Sequence, residues 1–509
     1  MNIINRIEGW AKEHPDKTAF HFRNGEISYG ELWERSGRLA NYLLINKDIC
    51  DGQPIPVYGH KNIYMPVCFL ACVRSGHPYV PIDTNMPEQR IRDIMESVGS
   101  PVILGADKLP FVPENVLTVG RDCLEVITSD NEEKDLCFSP EVPAEYNNGK
   151  DDVHYIIFTS GSTGKPKGVQ INTGNLEAYL DWSVTLVDEE PGVFLNQAPF
   201  SFDLSVMDLY TGLATGSTIV SADRALTEDL GELMEYLKEQ QPTYWVSTPS
   251  FADLCLGAPD FSGKTLSSLR KFLFCGEPFQ KHTASRLLNR FPEADVINTY
   301  GPTETTVCVT AVKITSQMTE SSGDLPVGIT KPGTVIYAAG EDGQHLENGG
   351  EGELIICGDT VSPGYFKDPE KTAQAFFTLS DGTRAYRTGD KGYVDENGMV
   401  FCGGRMDGQV KLHGYRIELG DIEKNLQDLD GVENAAVFLV KNRGAGESLS
   451  ACILQSPDTD TSYSRRKWIR QTLGQRLPAY MVPRKIVFFN EFPMTLNGKL
   501  DKRKLGEMI

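Results

Sequence analysis

Short, almost wholly apolar runs set between longer segments of helical period restrict the fold of this 509-residue chain more than any other feature. Val102-Ile103-Leu104, His154-Tyr155-Ile156-Ile157-Phe158, Ile219-Val220, Phe272-Leu273-Phe274 and Val296-Ile297 read as buried strands. Ile4, Ile7, Trp10 and Ala11 share one helical face, and Leu32, Leu39 and Leu43 repeat that pattern within Glu31 to Leu44. Strands alternating with helices predict α/β layers with mainly parallel sheets. From about Pro326 to Cys402 the texture changes to short strands, such as Glu353-Leu354-Ile355-Ile356, between Gly-rich turns, which predicts a small β-rich lobe. The last hundred residues form an α+β pattern of their own. It has a helix from about Gly420 to Leu429, a strand through Ala435 to Val440, and a helix from about Arg465 to Leu477 with Ile469, Leu473 and Leu477 on one face. The predicted organisation is a large α/β domain over 1–404, a hinge at 405–408 and a smaller α+β domain over 409–509.

Composition excludes several functions. Seventy acidic residues against 49 basic ones give a charge of −21, which repels nucleic acid and anionic lipid alike. The start, MNIINRIEGWAKEHPDK, lacks the basic-then-apolar order of a signal peptide. The densest apolar stretch, Tyr64 to Val73, contains Pro66 and falls far short of the ~20 residues a membrane span needs. Eleven scattered cysteines with no CxxC pair argue for reduced thiols, hence a cytoplasmic protein without membrane insertion. The charge is uneven: 16 basic and 12 acidic residues give 409–509 a charge of +4, leaving −25 on 1–408. Arg465, Arg466, Lys467 and Arg470 form one basic cluster, and Lys499, Lys502, Arg503 and Lys504 another. Either these are solvated surface, or they form a docking face for an acidic protein partner.

Directly after the run ending at Phe158 comes Thr159-Ser160-Gly161-Ser162-Thr163-Gly164-Lys165-Pro166-Lys167-Gly168. Small residues let backbone N–H groups approach phosphate oxygens, hydroxyls add donors, and two lysines add charge. It is not a Walker A loop, because only two residues separate Gly161 from Gly164 and Pro166 follows Lys165. A plain Gly/Ser surface turn is the competing reading; the preceding strand and the two lysines weigh against it.

Four more motifs follow in order: Asn298-Thr299-Tyr300-Gly301-Pro302-Thr303-Glu304, Tyr386-Arg387-Thr388-Gly389-Asp390, Gly404-Arg405-Met406-Asp407-Gly408-Gln409-Val410-Lys411 and Asn497-Gly498-Lys499. In this order the five resemble the adenylate-forming (ANL) superfamily of acyl-CoA synthetases, luciferases and peptide-synthetase adenylation domains. The resemblance implies a ligase that joins a carboxylate to the α-phosphate of ATP, releases pyrophosphate and passes the acyl group to a thiol. It implies ATP and Mg²⁺ as cofactors, with the Thr159–Gly168 loop on the β- and γ-phosphates. Asn298, Thr299, Tyr300, Gly301, Pro302 and Thr303 would wrap the adenine and reach the α-phosphate, with Tyr300 stacked on the base. Glu304 would help hold the metal. Asp390 would accept hydrogen bonds from the ribose hydroxyls, as a carboxylate can from a vicinal diol, and Arg405 would add a donor. Lys499 would be the mobile cation bridging substrate carboxylate, α-phosphate and ribose. Asp407 would be the hinge about which the small domain turns between half-reactions.

The substrate clue is Ala198-Pro199-Phe200-Ser201-Phe202-Asp203-Leu204-Ser205, an apolar stretch interrupted by one carboxylate. Asp203 reads either as a helix N-cap or as the counter-ion of an amino acid's α-ammonium, the place an Asp holds in the amino-acid-activating branch. Asn196 to Tyr210, with Phe274-Cys275-Gly276-Glu277-Pro278, is more specific and resembles the branch that activates D-alanine for teichoic acid modification. There Cys275 would lie beside the substrate Cα and disfavour the L-enantiomer, and Val307 would close the small methyl pocket. Thr211 stands where that branch is expected to have Pro, outside the proposed pocket. The acceptor implied is the phosphopantetheine arm of a separate carrier protein, since the chain holds no Gly-Gly-x-Ser attachment signature. The alternative is a stand-alone adenylation enzyme for another small amino acid, loading a peptide-synthetase carrier.

Overall fold

The computed structural model describes residues 2–46, 49–50, 52–130, 138–161, 165–341, 343–406, 408–412, 414–442, 446–455, 461–493, 500 and 502–509. The apolar runs become strands of two large sheets. One has nine strands in the order Ile329–Thr330, Thr310–Lys313, Asp295–Tyr300, Lys271–Phe274, Tyr244–Ser247, Val193–Asn196, Thr218–Ser221, Thr18–Phe22 and Gly25–Ser28. Its six central strands, Asp295–Tyr300 through Thr18–Phe22, pair in parallel, and the three added at its two edges pair antiparallel. A seven-stranded sheet runs Gly364–Tyr365, Lys167–Asn172, Val153–Thr159, Tyr79–Ile82, Ile55–Tyr58, Val102–Gly105 and Leu117–Gly120. This is the layered α/β architecture that the alternation predicts.

The helices follow from local chemistry. The helix Tyr29–Ile45 starts at a capping box in which Ser28 Oγ accepts from Glu31 N and Glu31 accepts from Ser28 N. Its face Leu32, Leu39, Ala40 and Leu43 is buried. The stretch too short to span a membrane is the wholly buried helix Tyr64–Arg74, with Pro66 in its first turn, where a missing N–H costs little. Among the described residues, no helix is long and apolar enough to cross a membrane. The predicted β-rich lobe is a five-stranded antiparallel sheet built from Thr334–Ala339, Gly352–Gly358, Phe376–Thr378, Arg384–Val394 and Val400–Arg405.

The chain divides into two compact units, 1–84 with 98–157 and 168–406, and 85–97 with 158–167 and 407–509. The sequence pattern predicts one boundary, at 405–408; the second unit also takes in 85–97 and 158–167. Contacts distant in sequence join these pieces, such as Arg90 Nη1 to Asp421 Oδ2 at 3.5 Å. The second unit holds the hairpin Gln409–Leu412 and Tyr415–Glu418 and the sheet Val432–Asn442, Gly446–Gln455 and Lys485–Phe489. Helices Leu419–Gln427 and Tyr463–Arg476 accompany them, within a few residues of the predicted spans. Ile422, Leu426, Ile469, Leu473 and Leu477 make its core with Ala451 and Ile453.

Candidate active site

Parallel strands bring their carboxyl ends to one edge of a sheet, where open α/β sheets bind ligands. In the nine-stranded sheet that edge receives Asn298 to Glu304 from the strand Asp295–Tyr300 and Cys275 from Lys271–Phe274. It also receives the loop to Asp203 from Val193–Asn196. Asn298 Nδ2 donates to the Pro326 carbonyl at 2.8 Å and Thr299 Oγ1 to the Phe274 carbonyl at 2.8 Å, fastening the strand end. A Cβ on Gly301 would lie 2.5 Å from Cys308 Cα, so only glycine fits this crossing. Gly301→Ala is therefore expected to destabilise the protein by about 1–3 kcal/mol, as overpacking does. A lower urea midpoint checks this.

The five-stranded sheet presents a carboxylate to the same motif. Asp390 and Arg405 are register partners across neighbouring strands. Tyr300 Oη donates to Asp390 Oδ2 at 2.6 Å, and Arg405 Nη1 donates to Asp390 Oδ1 at 3.0 Å and to the Thr388 carbonyl at 2.7 Å. Thr388 Oγ1 accepts from Asp390 N at 2.9 Å and donates to the Leu354 carbonyl at 2.7 Å, fixing this part of the strand. Burial first, then the adjacent Asp390 charge, pushes the Tyr300 phenol well above its ordinary range. Each carboxylate oxygen has a second lone pair, so Asp390 can still accept two more hydrogen bonds. Three residues from separate motifs thus form one hydrogen-bonded cluster.

Glu304 sits in the short 3₁₀ turn Thr303–Thr305 after Pro302, and its side chain is fully buried. Tyr365 Oη donates to Glu304 Oε1 at 2.9 Å, and Ser362 N donates to the Glu304 carbonyl at 2.9 Å. Next come Thr306 and Val307 with φ of 62° and 67°. A β-branched residue in the left-handed region is an outlier that costs on the order of 1–3 kcal/mol. Thr306 Oγ1 to the Thr360 carbonyl at 2.8 Å and Val309 N to the Tyr300 carbonyl at 2.8 Å hold it there.

Cys275 is buried, and its Sγ lies 3.8 Å from the Val307 carbonyl, so these two predicted pocket residues are in contact. Cys308, which carries no local sequence signal, is fully buried, and burial pushes its thiol well up. Asp203 occupies the N-cap position of the helix Leu204–Ala214 with α-region backbone and no side-chain cap bond. The capping reading of Asp203 thus holds for its position and not for its side chain. After burial, its charge is the largest influence raising the Tyr155 phenol. Tyr155 Oη and Ser201 Oγ are buried without a hydrogen-bond partner among the described residues. Such hydroxyls are costly unless something polar meets them. Tyr155 and Cys308 have no local sequence signal, since each lies beside apolar residues that read as core.

Thr159 to Lys167, the run expected to hold phosphates, falls in the second unit. Ser160 Oγ donates to the Arg416 carbonyl at 2.9 Å and accepts from Glu418 N at 3.1 Å, and Lys167 Nζ lies 3.6 Å from Glu418 Oε1. A Cβ on Gly161 would come within 2.2 Å of the Lys165 carbonyl oxygen, so only glycine fits at this position. Arg90 Nη2 lies 3.4 Å from the Thr159 carbonyl, and burial pushes its partner Asp421 up to about 6. Ser162, Thr163 and Gly164 lie outside the described residues, as do Asp407 and Lys499. In the basic helix, Arg466 Nε donates to the Ile486 carbonyl at 3.2 Å and Arg470 Nη1 to the Arg484 carbonyl at 2.8 Å, while Lys467 is exposed.

A parallel α/β sheet whose edge gathers the Asn298–Glu304 motif, with a Tyr–Asp–Arg cluster built on an antiparallel lobe, is the frame of an AMP-forming ligase. The chain belongs to the AMP-binding enzyme family, which matches residues 7–366, while 421–499 match the AMP-binding enzyme C-terminal domain. It is 42% identical over 515 residues to the D-alanine--D-alanyl carrier protein ligase of Listeria welshimeri, covering 100% of this chain and 99% of that one. It is 43% identical to the protein of the same name in Bacillus licheniformis, with 100% of both chains covered. Among solved structures, it is similar to PA1221, an NRPS protein containing adenylation and PCP domains (TM-score 0.82, 26% identity, 100% of this chain and 84% of that chain). It shares its fold with o-succinylbenzoate CoA synthetase of Bacillus subtilis (TM-score 0.83, 21% identity, 99% of this chain and 98% of that chain).

Proposed function

We propose that the chain activates D-alanine with ATP as D-alanyl adenylate, releasing pyrophosphate, and then transfers D-alanine to the phosphopantetheine thiol of a separate D-alanyl carrier protein for teichoic acid D-alanylation. The observation that carries this reading is the full-length likeness, at 42–43% identity, to D-alanine--D-alanyl carrier protein ligases. The pocket supports it. Asp203, whose charge is felt by the Tyr155 phenol, supplies a counter-charge for an α-ammonium, and Cys275 and Val307 make a close wall suited to a methyl side chain.

In the first half-reaction a substrate carboxylate oxygen attacks the α-phosphorus, and pyrophosphate leaves with the electron pair of the broken bond. Asp390, already held by Tyr300 and Arg405, accepts the two ribose hydroxyls and so fixes the nucleoside. Asn298 to Thr303 line the base and α-phosphate, with the Tyr300 ring against the adenine. Thr159 to Gly168 hold the β- and γ-phosphates, with Lys165 and Lys167 supplying positive charge. Mg²⁺ neutralises phosphate charge when bound. Its fit rests on Glu304, a buried carboxylate of the kind this ion takes together with substrate phosphates. Lys499 supplies the bridging cation, and rotation about Asp407 separates the half-reactions. We place the enzyme in the cytoplasm, where its ATP is.

Pyrophosphate exchange across a panel of small D- and L-amino acids tests the reading, with D-alanine expected to be fastest. Faster exchange with any other member would favour a peptide-synthetase loading enzyme. In the same assay Cys275→Ala is expected to narrow the D/L-alanine ratio roughly tenfold, the scale of one lost side-chain contact. An unchanged ratio removes Cys275 from the selectivity role.

A further inference from the structure

Lys61 lies in the loop between the strand Ile55–Tyr58 and the helix Tyr64–Arg74, where an amine would ordinarily reach into water. Instead its side chain is buried, and its Nζ donates to the Asn196 carbonyl (3.3 Å), to Asn196 Oδ1 and to the Ala198 carbonyl (2.6 Å). An ammonium has three N–H donors, and here all three are directed at two residues at the start of one loop. Nζ also lies 4.6 Å from the centroid of the Phe200 ring, two residues further along. The acceptors are themselves fixed. Asn196 Nδ2 donates to Asp208 Oδ1 at 2.7 Å, Ser221 Oγ donates to Asn196 Oδ1 at 3.0 Å, and Ala222 N donates to the Asn196 carbonyl at 3.0 Å. Removing an ammonium from water is costly. Burial accordingly pulls Lys61 down to about 7, against the opposing pull of Asp208, Asp83 and Asp223. The loop so held runs Asn196 to Asp203, turns at Pro199, whose carbonyl accepts from Phe202 N at 2.9 Å, and ends at the Asp203 carboxylate.

We infer that Lys61 is a positioning residue for the amino-acid substrate: its ammonium clamps the Asn196–Phe200 backbone and so fixes Asp203 at the substrate's α-ammonium. The inference rests on the proposed role of Asp203 as that counter-ion. Lys61 touches neither substrate nor nucleotide in this scheme, and the hydrogen bonds named above for this loop run to Lys61, Asp208, Ser221 and Ala222. Its loss therefore acts on one substrate.

The test is a double-mutant cycle in the full-length enzyme, with Lys61→Met, Asp203→Asn and the pair, read by D-alanine-dependent pyrophosphate exchange. Lys61→Met is expected to raise KM for D-alanine on the order of tenfold or more, as small misplacements of a binding group do. KM for ATP stays within about twofold. In the Asp203→Asn background the same change has little further effect, because residues acting as one unit are non-additive. If Lys61→Met does not accumulate as folded protein, Lys61→Gln, which keeps an N–H₂ donor, replaces it in the cycle. Equal rises in both KM values, or additive effects in the pair, reduce Lys61 to a core anchor and overturn the inference. If Asp203→Asn alone leaves KM for D-alanine unchanged, the counter-ion reading fails instead.

Discussion

Lys499→Ala is expected to lower D-alanine-dependent pyrophosphate exchange about 10²–10³-fold while leaving transfer from supplied D-alanyl adenylate near the parent rate. The first half-reaction drives one anion onto another, and negative charge accumulates on the α-phosphate as the new bond forms. A cation positioned there is worth most where water is excluded, and removing one such stabiliser typically costs 10²–10³ in rate. The second half-reaction begins from a mixed anhydride whose leaving group is already activated, so it does not need that cation. The residue's role rests on the family resemblance that the Asn497-Gly498-Lys499 motif carries. Single-turnover measurement of each half-reaction checks it, and equal loss of both would reassign Lys499 to general folding or docking.

Asp203→Ala is expected to lower kcat/KM for D-alanine by about 30–1,000-fold, with KM for ATP little changed. Truncating one partner of a charge pair costs about 2–5 kcal/mol when the pair is desolvated, and Asp203 is half-buried, which places it toward the lower end. The competing role makes a different forecast. A helix cap removed by Ala costs about 1 kcal/mol of stability and leaves substrate affinity alone. Asp203 makes no side-chain cap bond, so its substitution should spare the fold. Urea denaturation alongside steady-state kinetics separates the two: a lower midpoint with unchanged KM for D-alanine would return Asp203 to the cap.

Much of this architecture was legible in local pattern. The run His154–Phe158 lies within the strand Val153–Thr159, and Arg465 to Leu477 falls on the helix Tyr463–Arg476 with Ser462 as its cap. The Gly-rich stretch after Pro326 became an antiparallel lobe because its turns permit short return connections that a βαβ layer does not. The motifs were legible as motifs, since backbone demands such as the one at Gly301 leave a mark in sequence. Cys308, Tyr155 and Lys61 were not legible. A thiol or phenol in an apolar run looks like packing, and a lysine after Tyr-Gly-His looks like surface.

By itself, then, the sequence determined the fold class, the order of the motifs and the kinds of group they carry, because hydrophobic period and turn chemistry act over a few residues at a time. Only the tertiary structure decided which groups meet. Tyr300 reaches Asp390 across ninety residues, Arg405 faces Asp390 through strand register, and the Lys61 ammonium reaches Asn196 across 135 residues. Those pairings depend on sheet order and on where buried charge finds its acceptors, which are properties of the assembled core rather than of any local segment.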